Sequence, residues 1–234
     1  MRKKSQAFTR VELLAVMVVL CLLGALALPL FGTTRQDSDR AGCASNLREM
    51  GRAMLLWAGD HGERIPWWTP TTEGGTRVNP KAGNAWFEWA TLTNELAAAR
   101  VLACPADTGV RVATGFDSSS TGFFNTGMRA NALSYVVSLH AMLEYPKGLL
   151  SADRNLRFDS PSGVTGCSAG VNNAYAISSP LSAAGWTNAV HGPLGQALVV
   201  DGHVETTSSE DLKAVMFRVE GADQFGSEHF LRAR

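Results

Sequence analysis

Residues 13–34 carry no charged side chain: LLAVMVVLCLLGALALPLFGTT. At 1.5 Å rise per residue, about 20 apolar residues cross the ~30 Å hydrocarbon core of a bilayer. The run is therefore long enough to span one. In lipid, only a helix satisfies the backbone groups of a single segment internally, so this stretch is expected to be helical. Arg2, Lys3, Lys4 and Arg10 precede it, which orients the N-terminus to the cytoplasm and places residues 61–234 on the far side. The rest of the chain differs. With 45% hydrophobic and 18% charged residues in 234, wholesale disorder is excluded. A mean hydropathy near zero excludes a polytopic membrane protein. The formal net charge of +0 argues against a nucleic-acid partner, which calls for a basic excess.

Glu12 stands at the mouth of the apolar run. A carboxylate there is either solvated at the interface or needs a cation partner. Arg10, the basic leader and a newly generated α-amino group are the cations in reach. The segment Ala7-Phe8-Thr9-Arg10-Val11-Glu12-Leu13-Leu14 resembles the class III signal of type IV pilins and type II secretion pseudopilins. The resemblance implies cleavage by a prepilin peptidase between Ala7 and Phe8, and methylation of the new N-terminus. Glu12 becomes the fifth residue of the mature chain, the family's glutamate position, where it forms an assembly salt bridge with the Phe8 amine. Pro29 becomes the twenty-second, a frequent kink position, and with Gly24 it predicts a bend or local melting of the stem. Ala7 departs from the family, which prefers Gly before the cut. Loss of residues 1–7 removes Arg2, Lys3 and Lys4, so the mature chain is net acidic. An ordinary signal peptide remains the rival, since Ala25-Leu26-Ala27 matches a small-x-small cleavage site. That alternative yields a secreted or membrane-anchored ligand-binding domain of carbohydrate type.

Beyond Thr34 the pattern becomes amphipathic. Leu47, Met50, Gly51, Met54, Leu55 and Ala58 form one helical stripe opposite Arg48, Glu49 and Arg52. Gly59 and Asp60-His61-Gly62 end it, before Pro66. One helix over 8–58 spans ~75 Å at 1.5 Å per residue. Further along, 85–99 is expected to be a second helix, with Trp89, Leu92, Leu96 and Ala99 on one face. Residues 115–127 and most of 159–187 read as loop, and 132–138, 196–200 and 203–207 as strands. The last two flank Asp201-Gly202, a hairpin signal that calls for positive φ at both residues. A weak helix is expected at 209–217.

The pieces Cys43-Ala44-Ser45-Asn46-Leu47-Arg48-Glu49-Met50-Gly51, Asp60-His61-Gly62-Glu63-Arg64-Ile65-Pro66, Cys104-Pro105-Ala106-Asp107 and Ser134-Tyr135-Val136 add a second resemblance. So does His191, followed after nine residues by Asp201-Gly202-His203-Val204. Together they are similar to pseudopilin-like proteins abundant in Planctomycetes and Verrucomicrobia.

The expected fold class is α+β and pilin-like: a long N-terminal helix, half membrane stem and half amphipathic, packed on a small antiparallel sheet. The divisions are a leader (1–7), a transmembrane stem (8–31), its amphipathic continuation (32–60) and a periplasmic globular domain (61–234). Cys43 and Cys104 are the favoured disulfide pair, with Cys167 left over, Cys21 in the stem, and the free-thiol alternative open. Without a Cys-x-x-Cys pair no metal is expected, and no cofactor. His191, Asp201, Gly202 and His203 read as a structural turn motif. Asp60, Glu63 and Asp107 lack the alternating acidic spacing of a calcium loop. The tryptophans, among them Trp67, Trp68, Trp86 and Trp89, read as core area rather than a sugar platform. No hydrolase, P-loop, dinucleotide or zincin motif is present, so no enzyme is expected. The expected role is a subunit of a secretion pseudopilus or pilus-like fibre. Its partners are other pilin-like subunits, a prepilin peptidase, an assembly platform and the inner membrane.

Overall fold

The computed structural model describes residues 9–158, 160–164, 174–178, 184–216 and 227–232. Side chains are described for these except at 25–35, 160–164, 174–178 and 227–228. The leader, the Ala7/Phe8 junction, Cys167 and Phe217 lie outside the described residues. The chain divides into two units, Met1–Ser38 and Asp39–Arg234.

Helix α1 covers Arg10–Asp60 and contributes to both. It starts on a capping box, a feature present in the sequence as Thr-x-x-Glu. The Thr9 backbone N–H and hydroxyl both donate to Glu12 Oε2, at 2.7 and 2.9 Å, and the Glu12 N–H donates back to Thr9 Oγ1 at 3.3 Å. Helical backbone continues through Gly24 and Pro29, so the local melting expected there is absent. Among the described residues no helix is long and apolar enough to cross a membrane; the side chains at 25–35, which include the second half of the chargeless run, are not among them. The helix stops where the Glu63 N–H turns back to Ala58 O at 2.9 Å, with Gly62 at φ 66°.

In the second unit, a seven-stranded antiparallel sheet is built from seven of the nine strands among the described residues. The strands are β1 (Tyr135–Ser138), β2 (Leu149–Asp153), β3 (Leu156–Arg157), β4 (Ser160–Val164), β5 (Ala174–Ser178), β6 (Gly185–Trp186), β7 (Gly195–Val199), β8 (Val204–Thr207) and β9 (Ser227–Leu231). The sheet order is β4-β5-β9-β1-β2-β7-β8, and β3 pairs with β6 separately. Mixed helix and antiparallel sheet make the class α+β.

Both faces of the central strands are buried, so β1, β2 and β7 are buried at every residue rather than at alternate ones, polar Ser138, Ser151, Asp153 and Gln196 included. Tyr135, Val137, Leu198 and Leu231 join the α1 stripe in one cluster. Val136, Ala197, Val199 and Phe230 face away, onto Leu212, Val215 and Met216 of helix α3 (Ser209–Met216). A register shift between Leu149 and Ser151 lets Leu149 and Ala152 serve the second cluster while Leu150 serves the first.

Residues 39–60 of α1 bury Cys43, Leu47, Met50, Met54, Trp57 and Ala58. Leu55, counted in the expected stripe, is 36% exposed at its edge. Gly51 is where the helix meets the β7–β8 hairpin. A Cβ there would lie 2.9 Å from Leu198 Cδ1 and 3.3 Å from Gly202 Cα.

Three expectations need correction. The second helix, α2, is only Ala85–Ala90. Thr91 Oγ1 donates back to Phe87 O at 3.1 Å, and the Thr-Leu-Thr-Asn run that follows favours turns over helix. Trp89, Leu92, Leu96 and Ala99 are nevertheless all buried. Within 159–187, expected to be mostly loop, the described residues supply three strands, β4, β5 and β6. The hairpin turn places only Gly202 at positive φ, 91°; Asp201 keeps an ordinary φ. The Gly202 N–H donates to Val199 O and the Val199 N–H to His203 O, both at 2.9 Å, giving a three-residue loop rather than a two-residue turn.

A buried carboxyl on α2 generates a prediction. Glu88 is fully buried, and only Thr76 Oγ1 donates to it. Burial raises its pKa to about 8, against the lowering effect of the Thr76 bond. Unfolded, the group ionises near 4.5. The folded state therefore holds the extra proton between these values. This residue's contribution to stability falls as pH rises across that window and stays lost above it. Urea unfolding at pH 5 and pH 9 should show that fall in the wild type and a smaller one in Glu88→Gln, by about 1 kcal/mol or more. Equal falls in the two proteins would refute the assignment.

Candidate functional site

The H-x9-DG residues do not meet in one place. They bracket β7, whose five residues measure roughly 16 Å. At one end, Asp201 and Gly202 form the hairpin loop. The Asp201 Oδ1 accepts the His203 N–H at 3.1 Å, and the exposed His203 ring sits between Asp201 and Glu205, bonded to both. The Glu205 bond first, then Asp201, hold its pKa above the ordinary histidine value against mild burial. This half is the turn device expected from the sequence.

His191 lies at the other end and is not part of that turn. It is 5% exposed and held in a loop with Gly192 at φ 67°. Its Nε2 is 3.4 Å from Cys104 Sγ and 3.5 Å from Asp153 Oδ2. Arg40 Nη2 donates to its carbonyl at 3.2 Å.

Cys104 is disulfide-bonded to Cys43, with Cα atoms 4.9 Å apart. Two features of α1 let the chain come this close. Asn46 Nδ2 donates to Ala103 O at 2.9 Å, and a Cβ at Gly42 would lie 3.1 Å from Pro105 Cγ. Asp153 ends β2 opposite Tyr135 of β1. One segment each from α1, the 103–107 loop, β2 and the loop before β7 thus converge on a buried node.

The electrostatics of the node are unusual. Burial is the chief cause that raises the Asp153 pKa to about 7; the Gln196 N–H, donating at 2.7 Å, works against it, and the charge of Asp107 works with it. Among the described residues Asp153 Oδ1 has no hydrogen-bond partner. Burial first, then the Arg40 charge, push His191 below its ordinary value. The pair is therefore a neutral imidazole facing a carboxyl that titrates near neutrality. Next to it, Asp107 accepts two bonds from the Arg154 guanidinium, the Nη2 one at 2.6 Å. Burial alone would raise Asp107, but the Arg154 bonds and charge outweigh it and hold the carboxyl below its ordinary value.

Other sequence candidates separate. Asp60 and Glu63 are exposed, while Asp107 is buried and paired with Arg154. Trp57, Trp67, Trp89 and Trp186 are buried. The two partly exposed rings are already covered by guanidinium groups, Arg77 over Trp68 at 5.7 Å and Arg129 over Trp86 at 4.1 Å. Trp68 and Arg77 line an open cavity of about 220 Å³ with Glu63, Arg64, Met142 and Glu144. Asp153 and the meeting of His191 with the cysteines escaped the sequence reading. Their spacing in the chain carries no motif, and only the fold brings them together.

Comparison with protein-family models, with curated proteins and with solved structures finds no match.

The disulfide closes a loop across 61 positions. The chain-entropy relation gives about 4 kcal/mol for a loop of that length. The double variant Cys43→Ala/Cys104→Ala should lose about that much unfolding free energy in urea, and reductant should have no further effect on it. A loss below about 1 kcal/mol would contradict the bridge as the principal tie.

Proposed function

We propose that this chain is a structural subunit of a type II secretion pseudopilus or type IV pilus-like fibre. A prepilin peptidase cuts it between Ala7 and Phe8, and an assembly platform draws it from the inner membrane into a polymer with like subunits. The observation that carries this reading is the order Ala7-Phe8-Thr9-Arg10-Val11-Glu12 at the head of a chargeless run. A pilin-like arrangement, with the stem heading a periplasmic domain, belongs to the same proposal.

The helix start is compatible with the cut. The Thr9–Glu12 capping box uses nothing before Thr9, so removing residues 1–7 leaves it intact. Both Thr9 donors converge on Oε2, leaving Oε1 to meet the ammonium of Phe8, in its own chain or in a neighbour. Such a pair sets register in a low-dielectric fibre, because misalignment strands a buried charge.

Mass spectrometry of the mature N-terminus tests the reading. A chain that begins at Phe8 and carries one methyl group is expected. A start at Leu28 would make it a secreted domain, and an intact Met1 a plain anchor; either result overturns the proposal. Glu12→Ala should enter the membrane at wild-type levels yet be depleted at least tenfold from sheared fibres. Wild-type fibre yield would remove the pairing.

A further inference from the structure

The buried node holds more ligating chemistry than a disulfide requires. The donor atoms of Cys43, Cys104 and His191 all lie within 4.8 Å of one another. Asp153 brings Oδ2 to 3.5 Å from the same imidazole nitrogen, and its Oδ1 has no hydrogen-bond partner among the described residues. Cys43 and Asp153 are 0% exposed and Cys104 3%. A fully buried carboxylate oxygen with no donor is costly, and its persistence asks for an explanation.

We propose that, once its disulfide is reduced, the node of Cys43, Cys104, His191 and Asp153 binds one thiophilic divalent metal ion, of which zinc fits the donors best. The chemistry balances. A dithiol reductant delivers two electrons and two protons to the two sulfurs and becomes a disulfide itself. The Sγ–Sγ bond breaks and two thiols form. The metal then displaces their protons, forming two metal–thiolate bonds, and takes the His191 Nε2 lone pair and an Asp153 oxygen.

Geometry favours this set. With Zn–S ~2.3 Å and Zn–N ~2.0 Å, donor atoms on a tetrahedron sit about 3.3–3.8 Å apart. The His191 Nε2 separations of 3.4 and 3.5 Å fall in that range already. The sulfurs must separate and the side chains rotate for the four donors to close on one ion. Two thiolates with one imidazole and one carboxylate select zinc over calcium or magnesium, which take oxygen donors. The four segments stay tied in either state, by a covalent bond when oxidised and by the metal when reduced. The inference stands independently of the fibre reading.

The test uses the full chain in detergent with Cys21→Ser and Cys167→Ser, so that only the node's thiols remain. After reduction with a phosphine and its removal without air, cobalt(II) is added as a spectroscopic probe. One equivalent should bind, with the visible ligand-field bands of a tetrahedral site and thiolate charge-transfer absorption, and zinc should displace it. His191→Ala and Asp153→Asn, each checked for folding by circular dichroism in the oxidised state, should weaken cobalt binding at least tenfold. The oxidised parent should bind none. Absence of those bands, binding unchanged in His191→Ala, or equal binding by the oxidised protein would overturn the proposal. So would a reduced chain that loses its structure and fails to regain it when zinc is added.

Discussion

One contact organises the second unit: the α1 stripe from Cys43 to Ala58 laid against a sheet face. The stripe is narrow, and both partners are shaped for it. Gly51 removes a side chain where Leu198 and the Gly202 backbone approach, and Gly42 does the same for Pro105. With one face taken by this helix and the other by α3, the central strands have no solvent side. Substituting a polar residue at either parity of β1 or β7 therefore buries it.

That double burial sets the cost of every polar group inside. Three carboxyls meet it in three ways. Asp107 stays ionised because Arg154 supplies a two-pronged cation. Glu88 has one hydroxyl donor and retains its proton to about pH 8. Asp153 has one backbone donor at 2.7 Å and a neutral imidazole, and titrates between these extremes. What sets Asp107 apart is its cation partner; burial raises both Glu88 and Asp153, which sit at 0% exposure with no Lys or Arg bonded to them among the described residues.

How much of this was legible depended on the range of the interaction. The stripe of α1, the ends of α1 near Asp60, and the β7–β8 hairpin are local patterns and stand in the sequence. The capping box is equally local, Thr9-x-x-Glu12, and it uses the same carboxylate to which the pilin resemblance gives an assembly role. Strand β9 was missed for a different reason. Ser-Glu-His-Phe-Leu has weak strand character alone; its conformation is imposed by β5 on one side and β1 on the other. The same holds for β4 and β5 within a Ser- and Gly-rich stretch. The turn chemistry of Asp201-Gly202 was read one residue too short, since the composition does not separate a two-residue loop from a three-residue one. The node was invisible because its four residues come from four segments.

The first unit obeys a different rule from the second. There the large apolar side chains are exposed, from Val11 at 75% to Val16 at 48%, and they follow one another without a polar face. An amphipathic helix needs one neighbour, whereas a helix apolar all round needs to be surrounded. Exposed apolar surface of that extent marks a contact that a water-soluble monomer does not leave open. Under the fibre proposal the surround is lipid first and other stems afterwards. The change of surround then explains why the only carboxylate in the stem sits at its first turn. Placed there, Glu12 caps the helix through Thr9 while the chain is stored, and it still presents an oxygen to an incoming ammonium when lipid is exchanged for protein. A carboxylate one turn deeper would forgo the cap and would have to be desolvated in both surroundings.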